Sequence, residues 1–395
     1  MDDPSDRFPR SRRYELYERV TRISIYIMVA AMPISISLSQ LAMGTAALSA
    51  LLAWSLQPKP RPNLAIGLEK PIAAFILAEL LAFVFSTNHW ESFLFLKRLL
   101  LFSVIYIVAL KAPGLKMRRQ LMVILLSSFT LYSALGIFTY LTSHSVRLRH
   151  IHNSMTAGGM TMIAVLVTVA LLLKEADRRK QAGLLLVGLI NLWALLATST
   201  RSAWLGGLTG LMVIFISLKK EGLLTLPIMI IVFYIFTPDE IAYHINHFFD
   251  PSWGTNAERL IMWKTGFNIW QDYPIFGIGD VSAQAVFRQY MPADFTYLIG
   301  HFHNNWIHIA VTLGAVGLLA FAYLMITLLV HLVTNAKRQK SAHPFDHALA
   351  VSVLAVYFGF HVSGLFEWNF GDAEIITIVW FLIGLTFSRH REMEQ

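Results

Sequence analysis

The chain contains no cysteine. Disulfides, thiolate metal sites and cysteine nucleophiles are therefore excluded. Charge is scarce as well: 14% of the 395 residues are Asp, Glu, Lys or Arg, where soluble domains carry about 25%. Against that deficit stand 56% hydrophobic residues, gathered into long apolar runs. The balance excludes an ordinary soluble enzyme and predicts an all-α polytopic membrane protein. The sequence shows no internal repeat and no second soluble domain. No cleavable leader is expected. The first residues are polar and basic, and the first apolar run is long enough to stay as an anchor.

Hydropathy predicts about twelve spans, near 23–37, 40–56, 71–87, 92–110, 120–142, 155–173, 182–198, 202–218, 222–237, 303–333, 346–365 and 373–388. The expected organisation is a first set of spans in 1–237, a large loop with interfacial helices in 238–302, and the last spans with a short tail in 303–395. The connecting loops alternate in charge. Segments such as KAPGLKMRR, KEADRRK, NAKRQK and SRHRE are basic, whereas STNHWE, TSTR, 238–302 and LFEWNFGDAE are nearly free of lysine. The excess of cations on one side places those loops, and both termini, in the cytoplasm. Most of the 32 lysines and arginines then serve orientation. No nucleic-acid partner is expected.

Eight cations fall elsewhere: Lys97 and Arg98 inside the fourth span, and Arg147, Arg149, Arg201, Arg259, Lys264 and Arg288 at or beyond the outer face. Orientation does not require them there, which makes them candidates for binding an anion. The alternative is that their long side chains reach head groups at helix ends. Within the loop, Asn256 is a candidate helix cap. Leu260, Trp263, Phe267 and Trp270 predict one apolar stripe on a helix that Pro274 ends.

The stretch HFHNNWIH carries His301, His303 and His308 where the loop meets the next span. Their spacing is not the i, i+4 pattern of a zinc helix, and no carboxylate interleaves them, so no metal and no cofactor are expected. Two uses remain, helix-end packing and proton transfer, and imidazole suits the second because it titrates near neutral pH. Asn304 follows His303 and could fix its ring or bind a sugar. Glu367 and Asp372, in the last outer loop, could orient an arginine or contact hydroxyls.

The ordered set TSTRSAWLGG (198–207), ERLIMWKTGFNIWQDYPIFGIG (258–279) and HFHNNWIHIAVTLGAVGLLAF (301–321) resembles the O-antigen ligase family, within the superfamily of O-antigen ligases, polysaccharide polymerases and bacterial O-oligosaccharyltransferases. One departure is the presence of His301 beside His303. Asn304 marks the latter as the family histidine. The resemblance implies a helical fold like that of the membrane-embedded GT-C glycosyltransferases. It also implies a multi-pass enzyme of the bacterial inner membrane with its active site facing the periplasm. Such an enzyme moves a glycan from an undecaprenyl-diphosphate carrier to lipid A–core, completing lipopolysaccharide. In that reading His303 is the base. Arg201 and Arg259, with Arg288, Arg147, Arg149, Lys97 and Arg98, supply charge for the diphosphate, and His301, Asn304, Glu367 and Asp372 line the substrates. A polymerase or a protein transferase of the same superfamily stays open, as does a transporter of lipid-linked sugars. The absence of a large C-terminal soluble domain weighs mildly against the protein transferase.

Overall fold

In the computed structural model the described residues are 11–57, 64–112, 114–143, 147–227, 231, 250–282, 284–293, 295 and 300–387. The termini, most of the expected span 222–237 and the first part of the large loop lie outside them. The described residues form helices joined by loops, without a strand.

The helices are α1 (Arg12–Ala31), α2 (Ile36–Ser55), α3 (Glu69–Val84), α4 (His89–Phe95), α5 (Ser103–Lys111), α6 (Leu115–Ser143), α7 (Ser154–Leu172), α8 (Arg178–Ala197), α9 (Arg201–Leu218), α10 (Gly254–Asp272), α11 (Gln284–Tyr290), α12 (Asn305–Arg338), α13 (Pro344–Ser363) and α14 (Ala373–Phe387). Against the twelve spans that hydropathy predicts, eight helical stretches among the described residues are long and apolar enough to cross a membrane. The difference has local causes. Helix α1 begins well before residue 23 and carries the charged RRYELYER segment within it. Helices α3 and α14 are apolar but have only 16 and 15 residues.

Two compact units make up the chain. The first comprises residues 1–66, 102–128 and 380–395. Its α1–α2 hairpin is closed by a Thr21–Ser49 hydroxyl pair at 2.8 Å, and Ser128 Oγ donates to the Ala30 carbonyl at 2.5 Å. Lys111 pairs with Glu18.

The second unit comprises 67–101 and 129–379. Its most enclosed span is α7, which α8, α9 and α13 surround. Helices α9 and α13 approach backbone to backbone. A Cβ on Gly206 would stand 2.5 Å from the Gly359 carbonyl oxygen, and one on Gly210 3.0 Å from that of Ala355. Without a hydrophobic drive between spans in lipid, small residues at such crossings let dispersion contacts form. The crossing fixes α9, and with it Arg201 at the helix start.

Helix α12 is broken at Gly314, where φ is 64°. The break has an identifiable cause. Residues 274–279 lie along it. The amides of Ile278 and Gly279 donate to the Val311 and Thr312 carbonyls at 3.0 and 2.9 Å. The amides of Ala315 and Val316 donate to Pro274 and Ile275 at 2.8 and 3.2 Å. The loop thus satisfies the helix groups that the kink releases. Gly277, Gly279 and Gly314 all take positive φ here, with neighbouring backbone or side-chain atoms where a Cβ would project. The same loop is pinned from a second side, since Thr87 donates both its amide and its hydroxyl to the Ile278 carbonyl, at 2.9 and 3.0 Å.

Helix α10 corrects two local expectations. Asn256 is not its cap, because the helix starts at Gly254 with Trp253 before it. The buried face is also rotated from the predicted stripe. Met262, Thr265, Gly266 and Ile269 are buried, while Leu260 and Phe267 are 47% and 53% exposed. Trp263 and Trp270 flank the buried row and join a cluster with Ile278, Phe287, Phe295, Phe302 and Val311. Pro274 follows the helix end as expected.

Candidate active site

At the start of α12 the chain bends sharply. His303 takes a left-handed backbone, φ 47°, a conformation that costs a β-carbon residue about 1–2 kcal/mol. Asn304 then caps the helix: its Oδ1 accepts from the amides of Trp306 and Ile307 at 2.9 and 3.0 Å, and its Nδ2 donates to the Leu365 carbonyl at 2.9 Å. Asn304 is buried with its amide engaged at both ends, so it holds the backbone beside His303.

The loop between α13 and α14 is clasped to this helix end. The Asn305 amide donates to the Gly364 carbonyl at 2.8 Å, Asn305 Nδ2 donates to Asn369 Oδ1 at 2.6 Å, and Asn305 Oδ1 accepts from the Phe370 amide at 3.2 Å. Phe370 inserts between Phe75 and Phe321, with ring centroids 5.7 and 5.0 Å away. Aromatic pairs of this kind add about 0.5–1.5 kcal/mol beyond area burial.

That clasp places the Glu367 carboxylate under the two histidines. Its oxygens lie 2.9 and 3.1 Å from His303 Nδ1, and Oε1 lies 3.9 Å from His301 Nδ1. The two imidazole rings are 4.3 Å apart. Glu367 is buried, and burial alone would raise its carboxyl. The hydrogen bond and charge of His303, with help from His301 and the Trp368 amide, outweigh burial and hold it below the ordinary carboxylate range. The carboxylate is therefore ionised and can only accept, so His303 Nδ1 is the nitrogen that carries a proton. In the neutral ring Nε2 is then the basic atom. Burial depresses His301 to about 4, with Glu367 opposing and His303, Arg98 and Arg259 adding to the fall. His301 is thus neutral at physiological pH. The donors of His301, His303 and Glu367 lie within 4.8 Å of one another, a grouping that could hold a metal ion. Sequence spacing gave no hint of this, because the carboxylate arrives from a different loop. His308, one turn deeper, stacks on Trp368 at 3.9 Å between ring centroids.

The cations divide. Arg147 is committed to the α8–α9 turn: its guanidinium donates to the carbonyls of Thr198 and Ser199 and to Thr200 Oγ1 at 2.9, 3.2 and 3.2 Å. Burial, then the charge of Arg259, lower its pKa. Arg201 donates to Thr255 Oγ1 and Asn256 Oδ1 at 2.9 and 2.8 Å and stacks over Trp253 at 4.4 Å. It thereby docks the first turn of α10, which carries Arg259. Arg147, Arg201 and Arg259 lie within electrostatic reach of one another, and Arg259 also acts on His301. Arg98 pairs with buried Asp280 at 3.3 Å, and Glu91 accepts the Ser282 amide at 2.9 Å, so this end of the fourth span secures the loop. Burial, opposed by Arg98, raises the Asp280 carboxyl.

Lys97, Arg149 and Arg288 are exposed, and no hydrogen bond or ion pair among the described residues joins them to this group. Asp372 caps α14 through the amides of Glu374 and Ile375 and accepts from Thr156 Oγ1 at 2.5 Å. Its carboxyl is raised by burial and by Glu374. The sequence reading missed the Asn305–Asn369 clasp and the Thr255–Asn256–Trp253 seat of Arg201. The paired asparagines in HNNW and the single one in EWNFG were visible, but nothing in their spacing linked the two loops.

Residues 184–322 match the family model described as O-antigen ligase. That segment contains Arg201, Arg259, His301 and His303, while Arg147 and Glu367 lie outside it. No curated protein matches the chain.

Proposed function

We propose that this chain, a member of the O-antigen ligase superfamily, moves O-antigen glycan from undecaprenyl diphosphate to a lipid A–core acceptor at the periplasmic face of the inner membrane. The observation that carries the reading is the buried Glu367 carboxylate hydrogen-bonded to His303, with Arg147 and Arg259 within electrostatic reach of the pair formed by Glu367 and His301. In the proposed step the acceptor hydroxyl oxygen attacks the anomeric carbon of the donor sugar. His303 Nε2 takes the hydroxyl proton while Glu367 holds the ring and balances the imidazolium that forms. The bond from anomeric carbon to diphosphate oxygen breaks, and the lipid diphosphate leaves with its electrons. Arg201 and Arg259 grip the departing oxygens, since planar guanidiniums bind phosphate bidentately and keep their charge. Arg147 tunes this field from behind the turn. These groups need no divalent cation for the leaving charge, so transfer is expected to persist in EDTA.

A polymerase that extends glycan on its carrier, or a protein O-oligosaccharyltransferase, would use the same groups with another acceptor. Purified protein incubated with a lipid-linked glycan, with and without lipid A–core, decides between them. Product that forms only with lipid A–core supports the ligase. Longer lipid-linked glycan without it overturns the ligase in favour of a polymerase. Absence of any transfer in detergent, where no compartments exist, would point to a transporter.

The orientation is tested separately. Cysteines replacing Ser252 and Ser341 in this cysteine-free chain should label oppositely in intact cells with an impermeant thiol reagent. Labelling at 341 but not at 252 would overturn the periplasmic assignment.

A further inference from the structure

We propose that His301, His303 and Glu367 also form a reversible Zn²⁺-binding site whose occupation shuts off the base. The inference rests on the reading of His303 given above and extends it to regulation. Two imidazole nitrogens and one carboxylate, with a fourth position open, are a recognised zinc donor set. Zinc holds nitrogen and oxygen ligands at about 2.0–2.2 Å, which places tetrahedral ligands roughly 3.3 Å apart. The two contacts seen here, 2.9 Å from His303 Nδ1 and 3.9 Å from His301 Nδ1 to Glu367 Oε1, bracket that spacing. All three donors lie within 4.8 Å of one another, so side-chain rotation must draw them together around the ion. In the metal-free protein His301 Nδ1 accepts the His303 amide at 3.4 Å, a long hydrogen bond that zinc would displace. Magnesium and calcium do not suit the set, because they seek six or more oxygen ligands.

The consequence follows from the tautomer. Zinc needs the lone pair of His303 Nδ1, the atom that holds a proton for Glu367 in the metal-free protein. When the metal binds, that proton either leaves to solvent, with a second one then required on Nε2 for a neutral ring, or moves directly to Nε2. In both cases the ring that ligates zinc through Nδ1 carries its hydrogen on Nε2, which can no longer accept one from the acceptor hydroxyl. The guanidiniums of Arg147, which acts with Glu367, and of Arg259 and Arg98, which act on His301, repel a dication. Binding is therefore weaker than in a structural zinc site, and chelators reverse it.

The test uses the full chain in lipid nanodiscs after chelator treatment. Calorimetry with ZnCl₂ should give one saturable site per chain, with no comparable heat from MgCl₂. X-ray absorption at the zinc edge should show imidazole ligation. His301→Ala and Glu367→Gln should each weaken binding by at least about tenfold. With a lipid-linked donor present, zinc should stop wild-type transfer and EDTA should restore it. Absence of a saturable zinc site, or zinc affinity unchanged in both variants, overturns the proposal. The base assignment fails differently: His303→Ala would then keep transfer in zinc-free buffer, whatever the wild-type zinc spectrum shows.

Discussion

Two turns in the second unit share one unusual backbone feature and diverge in everything else. Ser199, between α8 and α9, and His303, ahead of α12, both hold positive φ, at 51° and 47°. Both turns precede a helix whose first residues bear on the site. At Ser199 the strain is closed off: Arg147 donates to the buried Thr198 and Ser199 carbonyls, and Thr200 Oγ1 donates to the Ser154 carbonyl at 2.8 Å. At His303 the strain instead turns an imidazole onto Glu367 while Asn304 and Asn305 take up the backbone. Strained backbone marks places that the surroundings over-determine. It does not say whether the reason is architecture or chemistry. The side-chain atoms that remain after the backbone is satisfied decide that.

The comparison breaks most sharply if both strained residues are replaced by the residue that tolerates the strain. His303→Gly keeps the bend and removes the imidazole together with its hydrogen bond to Glu367. Transfer should fall by about a hundred- to ten-thousand-fold, with donor binding retained and thermal stability lowered because the buried carboxylate loses its partner, read by radiolabelled transfer, donor titration and thermal melt. Loss of donor binding as well would make His303 a ligand-binding group. Arg201→Lys and Arg259→Lys come next. Each keeps the charge but loses the fork, and each should cut transfer by about a hundredfold while the protein still inserts. Near-normal transfer by either variant would reduce that arginine to an anchor. Glu367→Gln should slow transfer by about ten- to a hundredfold, with KM for the donor little changed, because the carboxylate acts through His303. A shift confined to donor KM would instead place Glu367 against substrate. Ser199→Gly is the smallest change. Relief of the left-handed strain, offset by glycine's entropy, should move stability by no more than about 1 kcal/mol, with transfer unchanged within about twofold. A collapse of activity there would show that the α8–α9 turn does more than carry Arg201.

How much of this was legible beforehand depended on range. Helices α6 to α9, α12 and α13 begin and end close to the hydropathy boundaries, because a long apolar run in lipid must satisfy its own backbone. The α10 stripe was misplaced by a small rotation. Both faces of that helix carry apolar residues, and only its docking against Phe302 and Ile307 decides which face is buried. His303 could be singled out by its position, yet its partner could not. Glu367 lies far along the chain and reaches it through the Asn305–Asn369 clasp, a contact that no local period encodes. The cations show the same limit. Eight were visible as unneeded for orientation, but only folding shows that Arg147 holds the α8–α9 turn, Arg98 holds Asp280 and Arg201 docks the start of α10.

The broken helix α12 acts as a ruler for the gene as well as for the protein. Residues 274–279 are locked in register with residues 311–316 by hydrogen bonds in both directions. A single inserted or deleted codon between His303 and Gly314 would slide the histidine around the helix axis relative to Glu367, or pull the glycine out of the break. Neither error can be absorbed locally. Among the described residues between Gly279 and His301 no comparable two-way backbone ladder is present. Length variation should therefore accumulate there and be purged on either side, so reading-frame-preserving insertions scanned through this region would map the ruler directly.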